Sequence, residues 1–216
     1  MTTPETRIVL AKLLPAGFTS DFLDGNLYLN TNSFFGKIDK TDVVRHDPHD
    51  GIDQSRQVQE IAILDDDGNW LPILGLINPV TSRYAESANL NVLCLYMIGD
   101  QESFHFDRRN RKFGDVAVVI SNLREFIHRV KSAAIAKEKQ VAHGPIQYIS
   151  RDLHDGPMGP FRKFEKHSYQ NEFRFVFDNG NASACRLQIG DIRDIAFPMA
   201  STEIPGFRLA MLSKDA

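Results

Sequence analysis

The chain is short of nearly everything that marks a secreted, membrane-spanning or fibrous protein. Its 216 residues include two cysteines, Cys94 and Cys185. That is too few for a disulfide framework or a four-ligand structural zinc site, and both lie in apolar stretches, so they read as small buried hydrophobes. No apolar run approaches the roughly 18 to 20 residues that cross a bilayer, and residues 1–7 are polar where a secretory signal needs an apolar core. A cytoplasmic protein without a membrane partner is expected. Also missing are a phosphate-cradling glycine loop, a G-x-S-x-G elbow, a Cys/His pair with a local signature and the pattern of a nucleic-acid-binding module. Internal repeats, low-complexity tracts and linkers are absent too, which favours one domain over several.

What is present is the composition of an ordinary globule, 42% hydrophobic and 25% charged. The net charge of −3 hides an asymmetry: residues 1–100 hold 7 basic and 14 acidic side chains, 101–168 hold 13 and 8, and 169–216 hold 5 and 6. The basic segment 108–166 suits a phosphate-bearing ligand or a nucleic acid, and equally a solvated face.

Residues 1–17 read as a loosely attached start. Asp24-Gly25-Asn26 signals a turn before a strand carrying Tyr28 and Asn30. From 36 to 56 the chain is polar, and Pro48 makes it a loop. Apolar runs at 58–64 and 70–77 flank Asp65-Asp66-Asp67-Gly68-Asn69, the pattern of a hairpin. The runs 91–98 and 115–120 have the continuity of strands buried on both faces. Asn122 with Glu125 suggests a capping box, and Leu123, Phe126, Ile127, Val130 and Ala134 recur at helical spacing, predicting one amphipathic helix over about 122–139. Further strands are expected at 145–149, 172–178, 184–189 and 207–212. The sum is a single α+β domain with a mixed, mostly antiparallel sheet.

Two constellations have the residue types for chemistry. His46-Asp47-Pro48-His49-Asp50 concentrates ligands that suit zinc or manganese, with His105 as a further donor. Pro48 rules out a two-histidine helix and no third ligand stands at a fixed spacing, so a hydrogen-bonded polar loop competes with a metal site. The other is the approach to an aromatic strand, Gln170-Asn171-Glu172-Phe173-Arg174-Phe175. A carboxylate at a strand mouth can hold a ribose hydroxyl and stabilise an oxocarbenium-like transition state, with Gln170 orienting an acceptor. The competing reading has Glu172 paired with Arg174 or Lys163 on an edge strand.

Two stretches resemble the DUF2971-like and AbiGi-like families associated with phage defence. One runs from Asp24-Gly25-Asn26-Leu27-Tyr28-Leu29-Asn30 through Phe34-Phe35 to Arg45-His46-Asp47 and Asp50-Gly51. The other has Phe113-Gly114-Asp115, a helix, Gly144-Pro145-Ile146-Gln147-Tyr148, Lys163 and Glu172-Phe173-Arg174-Phe175. The likeness spans about 20–178. The chain departs from that pattern in having Asn171 directly before Glu172 and Gln170 where a second acid is common; the same Gln170-Asn171-Glu172 resembles the Q/E-x-E turn of mono-ADP-ribosyltransferases. That resemblance implies NAD as cosubstrate, Glu172 as the catalytic acid, Gln170 toward the acceptor, Tyr28 stacked on nicotinamide, and Asn30 and Arg45 on the dinucleotide, Arg45 at its pyrophosphate. The acceptor would be a macromolecule. Two alternatives stand beside it: a non-catalytic inhibitor or antitoxin module acting on a protein partner, and a metal-dependent nuclease using His46, Asp47, His49 and His105.

Overall fold

The computed structural model describes residues 8–32, 34, 38, 46–75, 77–99, 104–178 and 180–207. In chain order its strands are β1 Ile8–Leu14, β2 Asn26–Thr31, β3 Gln54–Arg56, β4 Ala62–Leu64, β5 Trp70–Pro72, β6 Val80–Ser82, β7 Asn91–Gly99, β8 Val116–Ile120, β9 Val141–Pro145, β10 Gln147–Ile149, β11 Gly156–Pro157, β12 Arg162–Phe164, β13 Glu172–Phe177, β14 Cys185–Gln188 and β15 Ala196–Ala200. The α-helices are α1 Thr19–Leu23 and α2 Leu123–Ile135. The fold is α+β, and its eight-stranded main sheet is antiparallel throughout.

β7 organises that sheet. Along one edge it pairs with β13, from Asn91↔Phe177 to Tyr96↔Glu172. Its other edge is shared: β1 covers Tyr96 to Gly99, and β2 covers only Asn91 and Val92. β1 then continues to β8 and β15, and β2 to β14. The sheet therefore forks, and, among the described residues, positions 93–95 have no strand partner on the forked edge. Part of that loss is recovered where the Lys12 ammonium donates to the Cys94 carbonyl at 2.9 Å.

Alternation of side chains decides what each face does. Leu93 and Leu95 of β7 and Phe173, Phe175 and Phe177 of β13 face α2, which presents Phe126, Val130 and Ala134 to them. Phe126 meets Phe175 edge-on at 5.9 Å. The opposite set, Glu172 and Arg174 beside Tyr96 and Cys94, faces the site. Asn122 caps α2 through its side chain, accepting from the Glu125 N–H as expected, while the Glu125 carboxylate pairs with Arg129. The helix ends at Ile135 rather than near 139, where Glu138 adopts a left-handed φ of 56°.

Several expectations need correction. Residues 8–14 are no loose tail: Leu10 and Ala11 are fully buried in β1, between β7 and β8. The alternation of that run is blurred by leucines on both faces, which conceals a strand buried on both sides. The 145–149 segment is two strands: the Ile146 N–H makes the last bond to β13, on the Glu172 carbonyl at 2.8 Å, and Gln147 then turns to pair with Arg162. No strand was expected at 196–200, yet β15 forms there with Pro198 on a sheet edge, the position at which a proline's missing donor is harmless. The strand expected at 207–212 lies outside the described residues, apart from Phe207, which is not in a strand.

Candidate functional site

A cleft of about 340 Å³ opens at the fork of the sheet. Tyr28, Asn30, Gln170 and Glu172, four of the residues singled out from sequence, all line it. They arrive from distant parts of the chain: Tyr28 and Asn30 on β2, the branch that leaves β7, and Gln170 and Glu172 at the entry to β13. Cys94 and Tyr96 from β7 contribute to the lining, with Asn110 and Phe113 from the 3₁₀ helix Arg108–Phe113. Arg45 lies outside the described residues.

Asn171 explains how two polar side chains are aimed together. The 3₁₀ helix Glu165–Gln170 ends on Asn171 in the left-handed region, at φ 38° and ψ 55°. Asparagine tolerates that conformation better than most residues. Its side-chain amide donates to the Met97 carbonyl at 2.7 Å and its own carbonyl accepts from the Met97 N–H at 2.8 Å, which locks the turn to β7.

Glu172 is almost fully buried. Its Oε2 accepts from Lys163 Nζ at 2.8 Å and its Oε1 from Arg174 Nε at 2.7 Å. Arg174, fully buried, donates to both oxygens of Asp50 at 3.1 and 3.2 Å and to the Pro160 carbonyl at 2.9 Å. Lys163 closes the ring, 3.2 Å from Asp50 Oδ2 and donating to Gln170 Oε1 at 2.8 Å. Two acids and two bases thus form a neutral buried cluster, the arrangement in which charges survive away from water. Burial would push the Glu172 carboxyl up, but Arg174 and Lys163 overcome this and hold it well below the usual carboxylate range. Burial likewise opposes the charge on Lys163, and Asp50 and Glu172 reverse that, raising it above an ordinary lysine. Pairing of Glu172 with Arg174 or Lys163 on an edge strand was the competing expectation. Both partners are present, but β13 is no edge strand: it sits between β7 and β9.

Around the cluster, the Glu172 N–H donates to the Tyr148 hydroxyl at 3.0 Å. Burial and the Glu172 charge raise the Tyr148 phenol, so it stays protonated. Burial and the same charge push the Cys94 thiol up to about 12. Asp47 faces His167, Oδ2 to Nε2 at 3.2 Å, and accepts from the His49 N–H at 2.9 Å. Burial raises the Asp47 carboxyl, and His167 and Lys163 outweigh it, bringing it down to about 2. Gly51 turns the chain just after Asp50 at φ +70°, with its Cα so close to Asn32 that a Cβ would stand 2.6 Å from the Asn32 carbonyl oxygen.

The metal candidates do not converge. His46 Nδ1 lies 2.8 Å from the Ile38 carbonyl, His49 sits edge-on to Phe164 with ring centroids 5.2 Å apart, and His105 borders a separate hollow with Asp107 and Tyr169. Among the described residues, no group of three or more His, Cys, Asp or Glu side chains is placed to hold a metal ion.

Sequence reasoning missed Asp50 as the second acid of the cluster and Cys94 as a lining residue. Asp50, Tyr148, Lys163, Glu172 and Arg174 meet here from distant parts of the chain. No family model, no curated protein and no solved structure matches the chain.

Proposed function

We propose that the cleft binds NAD⁺ and that the protein transfers ADP-ribose from it to a macromolecule in a phage–host conflict. One observation carries the reading: Tyr28, Asn30, Gln170 and Glu172, chosen from sequence for this chemistry, line a single concave site. Catalysis needs such a cleft, whereas an inhibitor needs only a surface patch. The enclosed volume is near the lower end for ligand pockets, so it accommodates the nicotinamide and its ribose while the adenosine half lies beyond it. In the reaction the bond between nicotinamide and the ribose anomeric carbon breaks, its electron pair leaves with nicotinamide, and the acceptor nucleophile bonds to that carbon and gives up its proton to solvent.

Each residue then has a task. Tyr28, exposed at the cleft, offers a face for a planar ring. Glu172 is ionised and fixed in direction by Lys163 and Arg174, and it lines the cleft, where a carboxylate can accept from a ribose hydroxyl and stabilise positive charge beside it. Gln170, anchored through its carbonyl oxygen by Lys163, stands next to Glu172 in the lining, where it would orient the acceptor. The test is nicotinamide release from NAD⁺ by wild type, Tyr28→Ala and Glu172→Gln. Release by wild type that falls at least a hundredfold in Glu172→Gln supports the reading, and no release by folded wild type with any acceptor preparation contradicts it.

A second reading, the non-catalytic module, is favoured by the engagement of both Glu172 oxygens with buried cations, which a purely structural cluster also requires. In that case Glu172→Gln changes stability, and NAD⁺ has no effect on either protein.

A further inference from the structure

The basic middle segment reads from sequence as a phosphate-binding stretch or as a solvated face, and α2 separates the two. Its apolar side, Phe126, Val130 and Ala134, packs into the core. The opposite ridge follows at i, i+4, i+7 and i+11 as Arg124, His128, Lys131 and Ile135, all exposed. At 1.5 Å per residue its three polar members span about 10 Å of the helix. Residues 123–139 carry five basic side chains against Glu125 and Glu138. Glu125, the one acid inside the helix, is held by Arg129, which also holds Asp194. Arg124 and Lys131 make no hydrogen bond or ion pair among the described residues. Exposed arginines elsewhere differ: Arg56, Arg109, Arg186 and Arg193 each grip a carboxylate. A helix face that is merely solvated is ordinarily laced with both signs of charge, and this ridge is not.

The basic surface continues onto β9. Burial and the nearby Lys131 charge both hold the His143 imidazole below its ordinary value, so Lys131 stands close to that strand. Among the described residues β9 pairs with β13 alone. The Ile146 N–H bonds to the Glu172 carbonyl and the Asp178 N–H to the Gln140 carbonyl. Even-numbered positions of β9 therefore aim their backbone groups at β13, and odd-numbered ones aim theirs outward. Pro145 has no N–H, so the open edge offers only those of Val141 and His143, too few to seat a partner strand.

We infer that this ridge binds the phosphodiester backbone of a nucleic acid. Arg124 and Lys131 supply the charge, and His128 places a hydrogen-bonding ring between them. Backbone binding needs cations in a row and no element that reads bases, which agrees with the lack of a nucleic-acid module pattern in the sequence. A bilayer fits worse, because α2 has its apolar side in the core and shows only Ile135 outward on the ridge. Phe173 and Phe175 of β13 pack toward α2, while Glu172 of the same strand lines the cleft. The ridge thus lies across the main sheet from the cleft, and binding there is independent of NAD⁺.

Fluorescence anisotropy with a labelled thymidine oligonucleotide and a labelled duplex, each about 20 nucleotides long, tests this in about 50 mM and about 200 mM salt. Wild type should bind at least one of them with a Kd on the order of 10 µM or tighter at the lower salt, and the tighter probe tells single strand from duplex. Two or three phosphate contacts at about 0.7 to 0.9 each predict a slope of log K against log salt of roughly −1.4 to −2.7. Arg124→Glu with Lys131→Glu should weaken binding at least about tenfold. Arg56→Glu with Arg186→Glu, an equal change in net charge on β3 and β14, should weaken it less than about threefold. All four side chains are exposed, so both variants should fold. No binding by wild type at about 100 µM in the lower salt overturns the inference, as does equal weakening by the two variants. A poly-glutamate peptide of similar length that binds as tightly as the better oligonucleotide also overturns it.

Discussion

Asn171 and Glu172 show how much one residue can decide. The left-handed Asn171 both ends a helix and ties β13 to β7. Asn171→Ala keeps the backbone bond but loses the side-chain one and the tolerance for positive φ, so it should destabilise by about 1–3 kcal/mol in urea unfolding, with Asn171→Gly less costly. Truncating Glu172 to alanine leaves Lys163 and Arg174 sharing Asp50 alone, a loss on the order of 3–5 kcal/mol. Glu172→Gln, which keeps shape and one acceptor, should cost less. Asp47 sets a pH signature. Its folded-state value of about 2 lies below the ordinary 3.8, so its contribution is complete above the unfolded value and disappears as pH falls from about 4 to 2. The difference corresponds to about 2 kcal/mol. Acid titration of stability should therefore be shallower over that window in Asp47→Asn than in wild type. Cys94 lines the cleft, but a thiol raised to about 12 is almost wholly protonated at pH 8. Its alkylation by iodoacetamide should be far slower than that of a free cysteine peptide, and a fast reaction would contradict the charge arrangement around Glu172.

At the scale of elements, what the sequence revealed was local. The hairpin was visible because Asp65 to Asn69 is a turn whose chemistry is complete within five residues, with Gly68 at φ +84°. Its strands are shorter than the apolar runs suggested, spanning Ala62–Leu64 and Trp70–Pro72, with one further bond from the Ile73 N–H to the Ile61 carbonyl. The start of α2 was visible through Asn122, whereas its end depended on no strong stop signal and was placed four residues late. β15 and β1 were missed for different reasons: one holds a proline and no β-branched residue, the other is apolar on both faces and so lacks a period. The packing of α2 makes a plain prediction. Phe126→Ala removes a fully buried ring from the contact with Phe175 and should lower stability by about 3–5 kcal/mol in chemical denaturation.

At the scale of the whole molecule, the site depends on contacts that no local pattern encodes. Arg174 finds Asp50 across 124 residues of sequence, and the cleft exists because β7 is long enough to hold two different strands along one edge. Sequence could name Tyr28, Asn30, Gln170 and Glu172 by residue type and resemblance, but not the fork that brings them together. The most direct test of the account is thermal unfolding of wild type, Tyr28→Ala and Glu172→Gln with and without NAD⁺. A ligand at one hundred times its Kd stabilises the folded state by about 2.7 kcal/mol, which moves Tm by several degrees in a chain of this size. The account predicts such a shift in wild type and its loss in Tyr28→Ala. A wild-type Tm unmoved by millimolar NAD⁺ would contradict it and leave the buried cluster as architecture.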